Sequence, residues 1–462
     1  MAKSETTSPS GGRAIRTCRM FAVWSIGLWT VCGLATPAAT YTWITETADS
    51  SAYIVDYTSL ALSACGDPHI AYHNSTRDSL VYVCCDSSGW RSHVLDACLV
   101  GYVSLALDGS GYPHITYKDF YLRYARQGPT GWQFGFVPED PYGGNYCSLA
   151  LDSLGYAHVC YRYELSPWDG FLRYAYEDAS GWHFLDPGSE AGPSSLVLDA
   201  GKYPHIAVSN WCTHELLYFH QDSLGWHGES VTTGDQPCLK LGADGSPHLA
   251  FSGLNWALMY AHRDSSGWHL ETVDQTGTTT CWPSLALSDL DCPHISYYDA
   301  VNDDLRLATK CGSVWHVEVV ESKDDVGWFT SVAFDQFHRP RISYFDAWND
   351  HLKYARARGP MMTLCGTAQG GQLVLTWTAA PEASSYWVYG ACNQTYFNPG
   401  FSPGYQHRLA VLSPLFLTWS SQAGIAHPDS NWTYMVLAID GVEQEMCRSN
   451  RSGEHDFDLT SP

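Results

Sequence analysis

Six histidines stand in one repeated phrase of this 462-residue chain: His69, His114, His158, His205, His248 and His294. Each opens an apolar run such as "HITY" (114–117) or "HISYY" (294–298), and a seventh copy carries Arg341 instead. Imidazoles raise two kinds of chemistry, general-base catalysis and metal ligation. Neither suits this set. A zinc-type metal takes about four ligands at roughly 2 Å, and six units spread along a repeat do not converge on one ion. An arginine stays protonated and ligates no metal. What His and Arg share is an N–H donor. The expectation is therefore structural: a buried donor to a backbone carbonyl of the same or the next unit. The proline before most of these residues suits the first position of a strand, where no ladder N–H is needed.

Residues that differ between units are better candidates for function, because what the units share is scaffold. The segments just after the His runs hold Trp168 and Asp169 in "YELSPWDG", Trp211 in "SNWCTHE", Trp256 in "SGLNWA", and Trp348, Asn349 and Asp350 in "DAWNDH". The segments linking one unit to the next add Tyr57, Tyr102, Tyr146, Trp282 and Trp328, with acids in "PEDPYGGNY" and "ESKDDVGW". Aromatic faces beside Asp, Asn and Glu suit carbohydrate. The ring stacks on the apolar C–H face of a sugar and the polar groups take its hydroxyls. Two carboxylate pairs, Glu139/Asp140 and Asp324/Asp325, would serve acid/base glycoside chemistry if two such groups faced each other. The oxygen-rich runs "DAVNDD" (299–304) and "DAWND" (346–350) could ligate Ca²⁺, although no EF-hand spacing is present. No other cofactor and no cysteine-based metal site is implied.

The elements that must position these residues come from the repeat. Measured from histidine to histidine and on to Arg341, the period is 45, 44, 47, 43, 46 and 47 residues. Each unit has four short β-branched or aromatic runs. In the second unit they are "SLAL", "HITY", "YLRYAR" and "WQFGFV", divided by turns such as "DGSGYP" and "QGPTG". Four short antiparallel strands in a unit of this length make a propeller blade. The Asp of the first turn (Asp108, Asp152, Asp199, Asp335) should cap turn N–H groups. The Trp that opens the fourth run occurs at Trp90, Trp132, Trp182, Trp226, Trp268 and Trp315, one fewer than the phrases. The seventh is Trp43, in "YTWITETA" at the start of the chain. An N-terminal strand would thus complete the last blade, leaving no open edge. The fold class expected is all-β: a seven-bladed propeller over 40–360 closed by an N-terminal strand.

From Met361 the phrase stops. "GQLVLTWTAAPEASSYWVYG" (371–390) and "NWTYMVLAIDGVEQEMCRSNR" (431–451) resemble a fibronectin type III domain, which implies a small β-sandwich over 361–462 acting as a spacer or contact module. The "DSSGW", "DASGW" and "DSLGW" turns resemble the Asp-box turns of secreted bacterial propeller-repeat proteins, loosely of the sialidase type, with Trp directly after Gly as a departure. The arginine triad and Tyr/Glu pair of sialidase chemistry are not matched. The arginines Arg123, Arg173 and Arg306 recur in the "LRYA" strand and read as structural.

Residues 1–39 have three arginines before the apolar run "MFAVWSIGLWTVCGLA" and then small residues, the pattern of a signal peptide. That implies a secreted or cell-surface protein, or a periplasmic one, with no membrane span after cleavage. A formal net charge of −23 makes nucleic acid and anionic membrane poor partners. The sixteen cysteines do not recur in register with the repeat, so disulfides such as Cys392 to Cys447 are permitted but are no framework. The reading is a non-catalytic recognition module for glycans or glycoproteins. The alternatives are a glycan-active hydrolase or lyase on the same face, and a purely structural surface protein. Oligomeric state is left open.

Overall fold

The computed structural model describes residues 41–358, apart from short loop stretches, and the backbone of strands between 364 and 453. The expected signal peptide lies outside the described residues. Seven four-stranded antiparallel sheets form a seven-bladed propeller, and no helix occurs among the described residues. Blade 1 is Val55–Leu62, Pro68–Asn74, Ser79–Asp86 and Gly89–Ala97, paired in that order. Blade 7 holds Val326–Phe334, Pro340–Asp346 and His351–Arg358, and Thr42–Asp49 pairs beside the last of these, from Thr42 opposite Arg358 to Asp49 opposite Leu352. The first strand of each blade touches the first strands of both neighbours, and that of blade 7 touches that of blade 1.

The serine of "SLAL" explains how neighbouring blades are joined. Ser59 Oγ accepts the backbone N–H of Leu105 at 3.0 Å, and Ser104, Ser148, Ser195 and Ser284 do the same for Leu149, Leu196, Leu239 and Val332. Cys238 Sγ accepts from Leu285 N–H at 3.2 Å, and Ser331 accepts from Leu60 N–H at 3.1 Å, returning to blade 1. A first strand has one edge without a partner strand, and each clasp satisfies one of its donors. The core lies between blades. Ala71, Leu80 and Tyr82 of blade 1, for example, pack on Ile115, Tyr117 and Ala125 of blade 2. Equivalent layers fill every seam, including that between blades 7 and 1.

The phrase histidine belongs to the same seams, but in blades 1 to 5 its Nδ1 meets a tyrosine and not the expected carbonyl. In blades 1, 3, 4 and 5 a third-strand tyrosine (Tyr82, Tyr174, Tyr218, Tyr260) shares a hydrogen bond with His Nδ1 at 2.5 Å, and Tyr124 does so with His114. Each of those tyrosines also receives the edge of the next blade's Trp, as in Tyr174 to Trp226 at 5.6 Å and 76°. Blade 6 has Leu307 in place of the tyrosine. There His294 meets Tyr41 Oη at 3.2 Å and the carbonyl of Cys292, in the turn just before its strand, at 3.1 Å. In blade 7, Arg341 donates to the buried Asp335. Burial pushes all six imidazoles below their ordinary value, His158 and His294 down to about 4.

The turns are held as their sequences suggest. Asp108 Oδ1 accepts the N–H groups of Ser110 and Tyr112 at 2.8 and 2.9 Å, and Asp152 does so for Leu154 and Tyr156. In the outer turns, Gly181, Gly225 and Gly267 sit at φ near +120°, a conformation that requires glycine. Beyond residue 360, Leu364–Gln369, Gln372–Trp377 and Thr418–Ser420 form one antiparallel sheet. Gln406–Leu412, Ser385–Cys392, Trp432–Ile439 and Glu445–Arg448 form another. Their side chains, those of Cys392 and Cys447 included, are outside the described residues.

Candidate functional site

At the start of the first strands the ladder breaks in register, with a bulge in five blades: between Asp56 and Thr58, Gly101 and Ser104, Asn145 and Ser148, Asp235 and Cys238, and Trp328 and Ser331. The residue three before the phrase leucine takes a left-handed backbone there. Tyr57, Tyr102, Tyr146, Gln236, Trp282 and Phe329 have φ between 50 and 60°. Non-glycine residues in this region cost on the order of 1 kcal/mol each, so such outliers point toward function. A bulge re-aims its side chain, and it does so at five of these positions; Trp282 precedes a strand, Ser284–Leu287, whose pairing has no register shift. All six line a central cavity of about 430 Å³.

Five of the six are aromatic, and they stack as a fan. Centroids lie 4.4 Å apart for Tyr102 and Tyr146, 4.7 Å for Tyr57 and Tyr102, 5.3 Å for Tyr57 and Phe329, and 4.3 Å for Trp282 and Phe329. The tilts are 42–52°, close to the rotation of about 50° between neighbours in a ring of seven. Rings this close touch one another, so each ring inside the fan is partly covered by its neighbours. Burial pushes the Tyr102 and Tyr146 hydroxyls well above their ordinary range, with the Arg162 charge pulling the other way.

The fan is interrupted at blades 4 and 5. Blade 4 has Pro193 at the fan position, and blade 5 has Gln236. Trp211, half exposed at 53%, flanks this gap and lies 6.1 Å from Tyr146. Asn210 Oδ1 shapes its loop by accepting the N–H groups of Cys212 and Thr213 at 2.9 and 3.0 Å. Asp235 is the one carboxylate among the described residues lining the cavity. Its Oδ1 accepts from Ser209 Oγ at 2.7 Å and from the Gln236 N–H at 2.8 Å. Its Oδ2 faces His214 Nδ1 at 3.9 Å, which leaves room for another donor. Gln236 Oε1 accepts from the Trp282 N–H at 2.7 Å, so its amide NH₂ remains to donate. The gap thus offers one open indole, one acceptor and one donor.

The residues singled out in the sequence are not gathered in one place. Trp211 and Trp282 line the cavity. Trp328 stacks behind Trp282 at 5.7 Å and donates its indole N–H to Asp325 at 2.7 Å. Trp256 and Trp348 are exposed rim residues, at 50% and 73%, outside the cavity lining. The Asn349 amide donates to Asp346 at 3.0 Å and to Asp324 at 3.3 Å, and Asp350 has a left-handed backbone, φ 56°. Trp168 falls outside the described residues, as does the side chain of Asp169. So do Glu139 and Asp140. Asp325 and Asp303 both accept from the Tyr298 hydroxyl, at 3.0 and 2.8 Å. No group of three metal-ligating side chains occurs among the described residues. Sequence reasoning missed Phe329, Asp235 and Gln236. The column three residues before the phrase leucine would have found Phe329 and Gln236, since it reads Tyr, Tyr, Tyr, Pro, Gln, Trp, Phe.

One cluster imitates a catalytic triad. Ser180 Oγ donates to Asp178 at 2.6 Å and lies 3.0 Å from His183 Nε2, and Ser266, Asp264 and His269 repeat the pattern. In both, the Asp lies against the same Nε2, at 3.0 Å. A hydrolase triad instead places its Asp on Nδ1 and leaves Nε2 to take the Ser proton. These groups brace an exposed turn.

No protein-family model and no curated protein matches the chain. Among solved structures, it is similar to a catalytically inactive virginiamycin B lyase from Staphylococcus aureus with quinupristin. The identity is 10% and the TM-score 0.49, over 68% of this chain and 99% of that one. It is similar to AofleA from Arthrobotrys oligospora at 12% identity and TM-score 0.45, over 62% and 90%. It is also similar to an Aleuria aurantia lectin mutant in complex with Fucα1-6GlcNAc, at 10% identity and TM-score 0.44, over 61% and 100%. None of these three reaches a TM-score of 0.5, so no ligand is carried over from them.

Proposed function

We propose that the chain is a secreted recognition module that binds a glycan, free or on a glycoprotein, in the gap of the aromatic fan. The observation that supports this best is the break at blades 4 and 5. Among the described residues, only there does an open indole, Trp211, line the cavity together with a carboxylate, Asp235, and the Gln236 amide. A sugar ring can stack on the indole while its hydroxyls donate to Asp235 and accept from Gln236. The one carboxylate lining the cavity among the described residues serves in this reading as a hydrogen-bond acceptor. The exposed Trp256 and Trp348 would meet the outer parts of a larger glycan or its carrier. In the same reading, Thr42–Asp49 latches blade 7, and residues 361–462 are a fibronectin type III-like spacer.

The test is glycan-array screening of the mature chain, followed by calorimetry on the best ligand. Trp211→Ala and Asp235→Asn should each weaken binding at least about tenfold, as loss of a stacking platform or a charged hydrogen bond does. Trp348→Ala should change the affinity for a monosaccharide little. Full affinity in both gap variants, or no glycan bound by the wild type, would sink the reading.

A further inference from the structure

The indole that flanks the gap has a buried cation behind it. Arg162 lies in the second strand of blade 3 and is 5% exposed. Its Cζ lies 5.6 Å from the centroid of Trp211, a residue of the next blade. That is within the range at which a guanidinium is held by an indole face, and burial strengthens the attraction. The chain makes special provision for this side chain. Glu164, two residues on, forms an ion pair with its Nε at 3.3 Å, without hydrogen-bond geometry. The same Glu164 oxygen accepts from Asn145 Nδ2 at 2.7 Å, and Asn145 stands opposite Arg162 in the adjoining strand. Gly170 is opposite Glu164 in the third strand. A Cβ added there would lie 1.9 Å from Arg162 Nε and 2.6 Å from Cζ, so the guanidinium occupies the place of a missing side chain. The corresponding second-strand positions of blades 1, 2, 4, 5, 6 and 7 are His73, Lys118, Ser209, Ser252, Tyr298 and Phe345, so among them only blade 2 has another side chain that is cationic at neutral pH. The arginine is set in the blade that faces Trp211.

We infer that Arg162 is a positioning residue of the gap: its guanidinium fixes the plane of the Trp211 indole, and Glu164 and Gly170 fix the guanidinium. The inference rests on reading the gap as the ligand site. The effect on a ligand is indirect. A fixed indole loses little freedom when a ring stacks on it, so affinity is gained by pre-organisation and not by a further contact.

The full chain carrying 5-fluorotryptophan allows the indole to be read directly by ¹⁹F NMR, with the Trp211 resonance assigned by its loss in Trp211→Phe. Without any ligand, Arg162→Met and Gly170→Ala should shift and broaden that resonance, and Arg162→Lys should shift it less. Each of the first two should weaken glycan binding about tenfold. An unmoved Trp211 resonance in a folded Arg162→Met chain overturns the inference. If that variant does not fold, Arg162→Lys and Glu164→Gln carry the test, and an unmoved resonance in both is equally decisive. The ligand-free readout separates the two ideas. A moved resonance with no glycan bound by the wild type ends the glycan reading and leaves the positioning role. Glycan binding with an unmoved resonance does the reverse.

Discussion

The phrase histidines set how this protein responds to acid. In the unfolded chain these imidazoles titrate near 6.5, and in the native protein burial holds His158 and His294 down to about 4. Between those values the unfolded chain binds more protons, so native stability falls as pH drops from about 6.5 toward 4. For His158 alone the loss is on the order of 3 kcal/mol at the acid end. Urea titrations across this window should show the decline, and His158→Gln should flatten it while lowering stability at pH 7. A slope unchanged in the variant would contradict the assignment. The six histidines were legible as scaffold because Arg341 replaces one of them. Their partner was not legible, since nothing local in sequence ties His158 to Tyr174, 16 residues away in the next strand. The gap was harder still. It is defined by what Pro193 and Gln236 are not, and a missing ring in a column of rings appears only once the columns are stacked in space.

At the scale of the element, the serine of "SLAL" is a clasp between blades, which the repeat displays without revealing its partner. The N–H it receives belongs to the next unit, 44 to 48 residues on, in a strand edge that only the closed ring creates. Ser148→Ala would leave the Leu196 N–H without its acceptor, at a cost of about 1–2 kcal/mol in chemical denaturation. Cys238→Ser restores the group used at the other six clasps and should be neutral or stabilising. A large loss from Cys238→Ser would show that the clasp is not what that position selects. The outer turns were fully legible, because "SGW" needs glycine and shows it. Gly267→Ala meets no atom within 4 Å, yet the +120° backbone should cost it about 1–3 kcal/mol.

The whole molecule is acidic, with a formal net charge of −23, and like charges spread round a ring repel. Raising salt from about 0.01 M to about 0.15 M shortens the screening length from about 30 Å to about 8 Å. The melting temperature should therefore rise by a few degrees over that range, and a fall would show that ion pairs such as Arg306 with Asp299 outweigh the repulsion. The described cysteines Cys65, Cys84, Cys85, Cys147, Cys160, Cys212, Cys238 and Cys292 are free thiols. Burial pushes Cys147 and Cys160 up to about 12. A maleimide should label the exposed Cys65 and Cys212 in the native protein and reach Cys147 and Cys160 only after denaturation. Blade number and blade design could be read from the chain because each unit repeats its own instructions. The cavity could not, because no single unit contains it.

The left-handed collar has a consequence for how such a protein would drift under selection. At Tyr57, Tyr102, Tyr146, Trp282 and Phe329 the most stable choice for the backbone is glycine, and the choice that keeps the fan is a large ring. The two pressures pull in opposite directions at the same five codons. A library randomised there and screened for heat tolerance alone should enrich glycine and asparagine. The same library screened for ligand capture should keep its rings, and the divergence of the two outcomes would measure, position by position, what function costs this fold.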